Sequence, residues 1–324
     1  KRIGILTSGG DSPGMNACIR SVVRTAHKKN IFVTGIEYGY KGLLNSNFIN
    51  LSPESVTNIV HKGGTILKTN RCEEFKQKKY RKIAYNNLRN ENIDGLIVLG
   101  GDGSFQGASI FSNEFKIPVV GIPSTIDNDI YGTDYSIGFN TAVQTIMDSV
   151  DKIRDTASSH ERIFFIEVMG RNSGHLAIHA GNATGAELIL IPEIKIKNLD
   201  SLVQKIKKIN IKKKSIIIIY AEGCNLGSVD KITNYVQKKM KNSNVRYSIL
   251  GHIQRGGNPS EKDRINSSLF GYYSVNEIIK KNNKSKMIGI INDNFIIQDL
   301  EKAIKRKKEI NKDLFKITEI INNY

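Results

Sequence analysis

The sequence predicts an α/β protein made of two doubly wound, three-layer (αβα) domains with mostly parallel sheets. Three observations lead there. Short runs rich in Val and Ile recur along the 324 residues, and most of the stretches between them have helical length and an apolar period of about 3.6. The runs are apolar throughout rather than alternating, which is the pattern of strands buried on both faces by crossover helices. The chain is also longer than one hydrophobic core comfortably serves, so it suits two domains of this Rossmann-like kind.

The first run, residues 3–6, ends in a Thr-Ser-Gly-Gly turn and leads into a helix over 15–29. A second run spans 31–37. The helical stretch 77–91 precedes the run 93–99, and the run 117–122 closes at Pro123. A helix over 142–155 then leads to the run 162–168. The remaining runs are 186–191, 215–220, 245–250 and 287–291, with a helix over 199–209 and a Lys-rich helix around 303–308. No solenoid-length repeat and no linker rich in Pro, Gly or Ser interrupts this order. The sequence leaves open whether the chain passes between the domains once or several times.

Composition narrows the function classes. Hydrophobic residues at 39% and charged residues at 24% exclude a disordered or fibrous chain. The net charge of +17 fits a polyanion binder and a binder of small phosphorylated ligands alike. The Lys-rich runs 205–214 and 302–312 hold no aromatic residue, Trp is absent, and no nucleic-acid-binding motif occurs. The surplus charge therefore reads as a solvated surface, with no nucleic-acid partner expected. Cys18, Cys72 and Cys224 are far apart and odd in number, fitting neither a disulfide framework nor a metal knuckle, which predicts a cytoplasmic protein. The longest apolar runs are strand-sized, so no membrane association is expected.

In doubly wound sheets, ligands bind beyond the carboxyl ends of the strands. The glycines fall there. Thr7-Ser8-Gly9-Gly10-Asp11-Ser12-Pro13-Gly14-Met15-Asn16 joins the first run to its helix, and lacks both a Walker lysine and the dinucleotide fingerprint. It fits a phosphate-binding loop or a plain strand–turn–helix junction. Leu99-Gly100-Gly101-Asp102-Gly103-Ser104 repeats the arrangement, and Asp102 suits either a magnesium ion facing phosphates or a helix cap. In Pro123-Ser124-Thr125-Ile126-Asp127-Asn128-Asp129, an extended backbone would point Thr125, Asp127 and Asp129 the same way. A carboxylate so placed serves as a base for phosphoryl transfer; the alternative is an Asx-rich turn. Met169-Gly170-Arg171 and Gly251-His252-Ile253-Gln254-Arg255-Gly256-Gly257 each set an Arg among glycines after a run, suited to phosphate oxygens. His252 has no partner at zinc-ligand spacing. Arg20 and Arg24 share a helix face with Lys28, as an anion site or as solvated surface.

Taken together and in this order, these loops resemble the bacterial ATP-dependent 6-phosphofructokinases over nearly the whole chain. The resemblance implies the phosphofructokinase fold, with an ATP-binding large domain of residues 1–138 plus about 254–304 and a fructose 6-phosphate-binding small domain of 139–253 plus about 305–324. It implies transfer of the γ-phosphoryl of ATP to the 1-hydroxyl of fructose 6-phosphate, with Mg2+. By the same resemblance Gly10, Arg71, Cys72, Gly101, Asp102, Gly103 and Ser104 line the ATP site, with Asp102 at the metal. Asp127 is the base, accompanied by Asp129, and Thr125 and Arg171 steady the phosphoryl group. Ile126, Met169, Gly170, Glu222, His252, Ile253, Gln254 and Arg255 hold the sugar phosphate. Arg162 and Arg246 reach it from a neighbouring subunit of a homotetramer. Arg20, Arg24, Arg154, Gly185, Ala186, Glu187, Lys213, Lys214 and Ser215 fall on an effector site for ADP or phosphoenolpyruvate.

The chain departs from the family pattern at Ser124, Cys72, Pro53 and Ile211, while Gly103 bears on the choice of donor. Gly103 stands where the pyrophosphate-using branch carries Asp, which favours ATP. Ser124 replaces the glycine of ATP enzymes and the Lys of pyrophosphate enzymes, which keeps a pyrophosphate-dependent phosphofructokinase as the alternative. Cys72 replaces a common aromatic residue. Pro53 and Ile211 occupy effector-arginine positions, so a weakened effector response is expected. From a different class, a non-catalytic polyanion-binding or regulatory protein on this fold is the remote alternative.

Overall fold

The computed structural model describes residues 1–211, 213, 215–280 and 284–322. The strands are β1 (Arg2–Thr7), β2 (Phe32–Ile36), β3 (Phe48–Leu51), β4 (Gly95–Gly100), β5 (Val119–Pro123), β6 (Arg162–Val168), β7 (Leu188–Leu190), β8 (Ile216–Ala221), β9 (Asn244–Ile249), β10 (Lys286–Ile291) and β11 (Asn294–Asp299). The helices are α1 (Met15–Lys28), α2 (Gly39–Leu44), α3 (Lys78–Asn90), α4 (Asp102–Phe115), α5 (Phe139–Ser159), α6 (His175–Thr184), α7 (Leu199–Asn210), α8 (Val229–Lys239), α9 (Glu261–Ile278), α10 (Leu300–Lys305) and α11 (Lys312–Asn322).

The chain forms two compact units, each discontinuous in sequence. The first comprises 1–126, 130–141 and 255–308, and the second 127–129, 142–254 and 309–324. The first unit holds a seven-stranded sheet of order β11-β10-β5-β4-β1-β2-β3. Its inner pairs are parallel, and its edges are the antiparallel hairpins β2–β3 and β10–β11. Neighbouring strand residues go to opposite faces. Ile3, Ile5, Ile97, Leu99, Val120 and Ile122 pack into one core, while Leu6, Leu96, Val98 and Val119 enter a second. The apolar-throughout runs are explained by this two-sided burial.

The second unit holds a parallel four-stranded sheet of order β7-β8-β6-β9. Ile163, Phe165, Ile216, Ile218 and Val245 pack there against Leu202, Val203 and Ile206 of α7 and Ile232 and Val236 of α8.

Three local expectations change. The hairpin strands β3 and β11 carry mixed polar and half-buried residues, as sheet edges do, and so present no apolar run. The chain does not stay extended past β5. It turns at Ile126-Asp127, and Asn128 adopts φ +51°, so strict alternation does not align Thr125, Asp127 and Asp129. The Lys-rich helix, expected around 303–308, ends at Lys305, after which Lys307 bridges Ile130 in an antiparallel pairing.

Candidate active site

In the first unit, the chain moves from β1 to β2 on one side and then to β4 and β5 on the other, so the sheet's switch point lies between β1 and β4. Loops at such a point splay apart and leave a crevice. The two Gly-Gly-Asp loops follow these two strands. They are tied together where they leave the sheet: the Ser8 amide donates to Leu99 O at 2.9 Å, and Ser104 Oγ donates to Ser8 Oγ at 2.9 Å.

Asp102 is the first residue of α4, and Gly101 rather than Asp102 is the helix cap. The Asp102 carboxylate keeps contact with solvent and accepts from Gln106 Nε2 at 2.8 Å. Desolvation by the surrounding protein pushes its carboxyl above the ordinary aspartate range, against the pull of that hydrogen bond. A methyl group at Gly103 would meet nothing within 4 Å, so the approach to this first helical turn is open. No group of three His, Cys, Asp or Glu side chains able to enclose a metal occurs among the described residues. One exposed carboxylate beside the amides of a helix start fits a divalent ion held largely by a nucleotide.

The segment carrying Arg71 and Cys72 lies against the first loop: Thr69 Oγ1 donates to Gly9 O at 2.8 Å, and Thr7 Oγ1 to Lys68 O at 2.7 Å. Arg71 is exposed. Cys72 packs against the core, and burial raises its thiol pKa. Gly10 lies close under the end of Arg255: a Cβ there would stand 2.3 Å from Nη1, which donates to Asp11 O at 3.1 Å. Ser124 Oγ meets Ser12 Oγ at 3.0 Å, both buried, and Ser136 Oγ donates to Thr125 O at 2.5 Å.

In the second unit, Asp127 is 3% exposed, and Arg171 Nε stands 3.7 Å from its Oδ2. Asp129 is half-buried on the same short segment. Arg171 sits in the left-handed region at φ +52°, held there by its own amide donating to Glu222 Oε1 at 2.8 Å. The Arg171 turn passes so near β8 that a Cβ at Gly223 would lie 1.8 Å from Arg171 O; only glycine fits. Gln254 is fully buried. Its Oε1 accepts from the Met169 amide at 3.1 Å and its Nε2 donates to Gly251 O at 2.9 Å, which fixes the two loops to each other. Gly170 is buried, while Glu222, His252 and Ile253 are exposed around them. Arg162 opens β6, and Arg246 pairs opposite Phe164 on β9. At about 3.3 Å per residue, Arg162 lies some 20 Å along the strand from the Met169 end, so within one chain it does not join that cluster.

The residues of the expected effector site in this unit do converge. Glu187 is buried; its Oε1 lies 3.2 Å from Lys213 Nζ and 3.7 Å from Arg154 Nη1, and its Oε2 accepts from the Ile217 amide at 2.8 Å. Gly185 ends α6 with φ +63°, and Ala186 O accepts from Asn322 Nδ2 at 2.8 Å. Ser215 is half-buried just before β8, whereas Lys214 lies outside the described residues. Arg20 and Arg24 stand on α1 in the first unit, where burial and the neighbouring Arg24 lower the Arg20 pKa. Ile211 is 85% exposed at the end of α7, and Pro53 lies in the turn after β3.

Two organising residues escaped the sequence reading. Asn16 is buried; its Nδ2 donates to Gly63 O at 3.0 Å and its Oδ1 accepts from the Ile66 amide at 2.7 Å, fastening the segment that leads to Arg71. A polar residue on an otherwise apolar helix face beside a glycine loop is the signal it offered. Asp263 accepts from the Gly138 and Thr141 amides at 3.0 and 2.8 Å, and burial raises its pKa despite them. Its local bond to Ser260 reads as an ordinary helix start and did not announce this role, since the Gly138 and Thr141 amides lie 125 and 122 residues away.

Comparison with known proteins gives the family and the fold. The family profile described as "PFK: Phosphofructokinase" matches residues 2–278. The chain is 48% identical over 324 residues to an ATP-dependent 6-phosphofructokinase of Persephonella marina, covering 99% of each. It is 47% identical to ATP-dependent 6-phosphofructokinase 2 of Bacteroides thetaiotaomicron, covering 98% of this chain and 97% of the relative. Among solved structures, the phosphofructokinase of Saccharomyces cerevisiae superposes with a TM-score of 0.87 at 34% identity over 100% of this chain, which spans 48% of the yeast one. A pyrophosphate-dependent phosphofructokinase from Marinobacter aquaeolei shares the fold at 21% identity, with a TM-score of 0.85, covering 98% of this chain and 91% of its own.

Proposed function

The chain belongs to the phosphofructokinase family, and we propose that it transfers the γ-phosphoryl of ATP to the 1-hydroxyl of D-fructose 6-phosphate, with Asp127 as general base. The full-length relatives that carry the ATP-dependent name favour ATP over pyrophosphate as donor. The observation that carries the reading is the buried Asp127 carboxylate facing the Arg171 guanidinium at 3.7 Å. Such a carboxylate can accept the hydroxyl proton while the guanidinium holds its orientation and offers charge to the phosphoryl oxygens.

Thr125 and Asp129 flank the base in sequence and complete the catalytic set. Gly10, Arg71, Cys72, Gly101, Gly103 and Ser104 line the nucleotide site of a large domain over 1–138 plus about 254–304. Ile126, Met169, Gly170, Glu222, His252, Ile253, Gln254 and Arg255 serve the sugar phosphate, the small domain being 139–253 plus about 305–324. Gln254 acts by holding the Met169 amide rather than by touching the ligand. A divalent metal bound with the nucleotide neutralises charge on the transferring and leaving phosphoryl groups. Mg2+ on Asp102 is our assignment.

The distance of Arg162 from the Met169 end supports a role toward a neighbouring copy, together with Arg246, in a homotetramer. Arg20, Arg24, Arg154, Gly185, Ala186, Glu187, Lys213, Lys214 and Ser215 form the effector site, weakened by Pro53 and Ile211. The setting is the cytoplasm.

A coupled assay with fructose 6-phosphate and either ATP or pyrophosphate tests the donor; turnover with pyrophosphate alone overturns the reading. Asp127→Asn should lower kcat by about 10²–10⁴-fold with KM little changed, and near-normal kcat would remove Asp127 as base. Phosphoenolpyruvate and ADP should shift the fructose 6-phosphate saturation curve weakly, and a strong shift would refute the assigned effect of Pro53 and Ile211.

A further inference from the structure

Besides the nucleotide loops, the first unit carries a cavity of about 790 Å³ whose chemistry the phosphoryl-transfer reading does not use. It lies where α4 ends, β10 begins and β11 runs into α10. Because β4, β5 and β10 run parallel, the start of β10 is at the end of the sheet opposite the Gly101–Asp102 turn. Helix α4 connects the two ends: Asp102 opens it and Lys116 follows its last turn, about 21 Å away at 1.5 Å per residue.

Cations outnumber carboxylates five to two in the cavity lining. Both carboxylates are already engaged. Asp299 Oδ1 lies 2.7 Å from Lys286 Nζ, and Glu301 accepts from Asn113 at 2.9 Å and lies 3.3 Å from Lys305 Nζ. Lys116, Lys284 and Lys302 have no carboxylate within ion-pair distance among the described residues, and Arg306 meets only the hydroxyl and ring of Tyr131 there. In their midst Ser285, one of the lining residues, is 9% exposed, and its hydroxyl is closed off from solvent with no hydrogen-bond partner among the described residues. A buried hydroxyl without a partner is costly, and five clustered cations that share two carboxylates repel one another. One kind of occupant relieves both. Phosphate oxygens neutralise the cations and accept from the hydroxyl once a turn about χ1 brings it into the cavity, and the volume suits a metabolite rather than a macromolecule.

We propose that this cavity is a second binding site, separate from the active site, for a small polyanion bearing phosphate groups, held by Lys116, Lys284, Lys302 and Arg306 with Ser285 as the buried donor. The assignment goes beyond the phosphoryl-transfer reading and does not depend on it.

The test uses the full chain, inorganic tripolyphosphate as probe, and lysine acetylation as a position-specific readout. Saturating probe should slow acetylation of Lys284 and Lys302 at least about fivefold, in the wild type and in Asp127→Asn alike, so loss of this site is distinguishable from failure of the active-site reading. Lys284→Gln combined with Lys302→Gln should weaken the probe at this site at least about tenfold, read as lost protection of Lys116, with turnover unchanged. Ser285→Ala gives the sharpest sign. Removing an unpartnered hydroxyl should leave Tm of the free protein equal or higher while affinity falls about fivefold. The proposal is overturned by uniform protection of lysines over the whole surface, by no protection at millimolar probe, or by an alanine variant with lower Tm and unchanged affinity. Protection by a single-stranded oligonucleotide but not by tripolyphosphate would likewise exclude a small-molecule site.

Discussion

Ser124 is the residue at which the sequence reading was most divided, and its side chain answers part of that division. The hydroxyl is 1% exposed and meets Ser12 Oγ at 3.0 Å, turned into the protein. Donor preference should therefore be the same in Ser124→Gly as in the wild type, measured as the ratio of kcat/KM for ATP and pyrophosphate. Ser12→Ala and Ser124→Ala should show a coupling of about 0.5–1.5 kcal/mol in a double-mutant cycle, since they share one bond. Asp102 carries a pH prediction. Its pKa is raised by desolvation, and its proposed role at the metal needs the ionised form, so affinity should be full above the raised value and decline as pH falls through it. The decline begins at a higher pH than an ordinary aspartate, near 3.9, would give. Asp102→Asn should weaken metal–ATP at neutral pH and remove that acid limb from the KM profile; a limb unchanged in the variant would exclude Asp102. The residue types at these positions were legible because glycine, Asp and Arg at strand ends restrict the chemistry so strongly. Their hydrogen-bond partners were not, as the engagement of Gln254 with Met169 shows.

Among the elements, α3 gives the clearest link between packing and site. Its Arg81 is 6% exposed and grips Glu114 of α4 through two contacts of 2.7 Å, while Nη1 donates to Phe75 O and Lys76 O at 2.8 and 2.7 Å. One side chain thus joins two helices and fastens the turn that follows Arg71 and Cys72. Arg81→Ala leaves Glu114 and two carbonyls without it, and should cost about 3–5 kcal/mol in denaturant unfolding. A loss under about 1 kcal/mol would show the bridge to be peripheral. The Arg81 hydrogen bonds lower the Glu114 pKa, so this stabilisation is complete above the unfolded value of about 4.3 and fades as pH falls through the lower folded one. The helix itself was legible from its period, and so was β4 from its apolar run. The Arg81–Glu114 bond was not, since a charged residue on a helix reads first as solvated. The turn after β5 was missed for a related reason: an extended strand and an Asx turn share the same residues, and burial of Asp127 and Asn128 rather than local preference decides between them.

For the whole molecule, the order of strands in the chain is not their order in space. Composition and periodicity carry no sign of this return, which only the family resemblance implied, because residues 255–308 look like any strand–helix segment; the pairing of Lys286 with Val120 places them beside β5. The same segment brings α9 against α1, where Ser21 Oγ donates to Ser268 O at 2.5 Å, and supplies Phe270, Val275, Ile278, Ile288 and Ile290 to the core that Ile3, Ile19 and Val22 begin. A fragment of residues 1–141 therefore has five strands of the sheet but only part of one core, α1 remaining while the face of β4 and β5 that α9 covers is left to water. At about 25 cal/mol per Å² of apolar surface, exposure on that scale exceeds the few kcal/mol by which a domain is stable. The fragment should lack a cooperative thermal transition and bind a hydrophobic dye, and adding a peptide of residues 255–308 should restore the transition. A sharp transition from 1–141 alone would mean that its core closes without the returning segment, and that the discontinuity serves connection rather than stability.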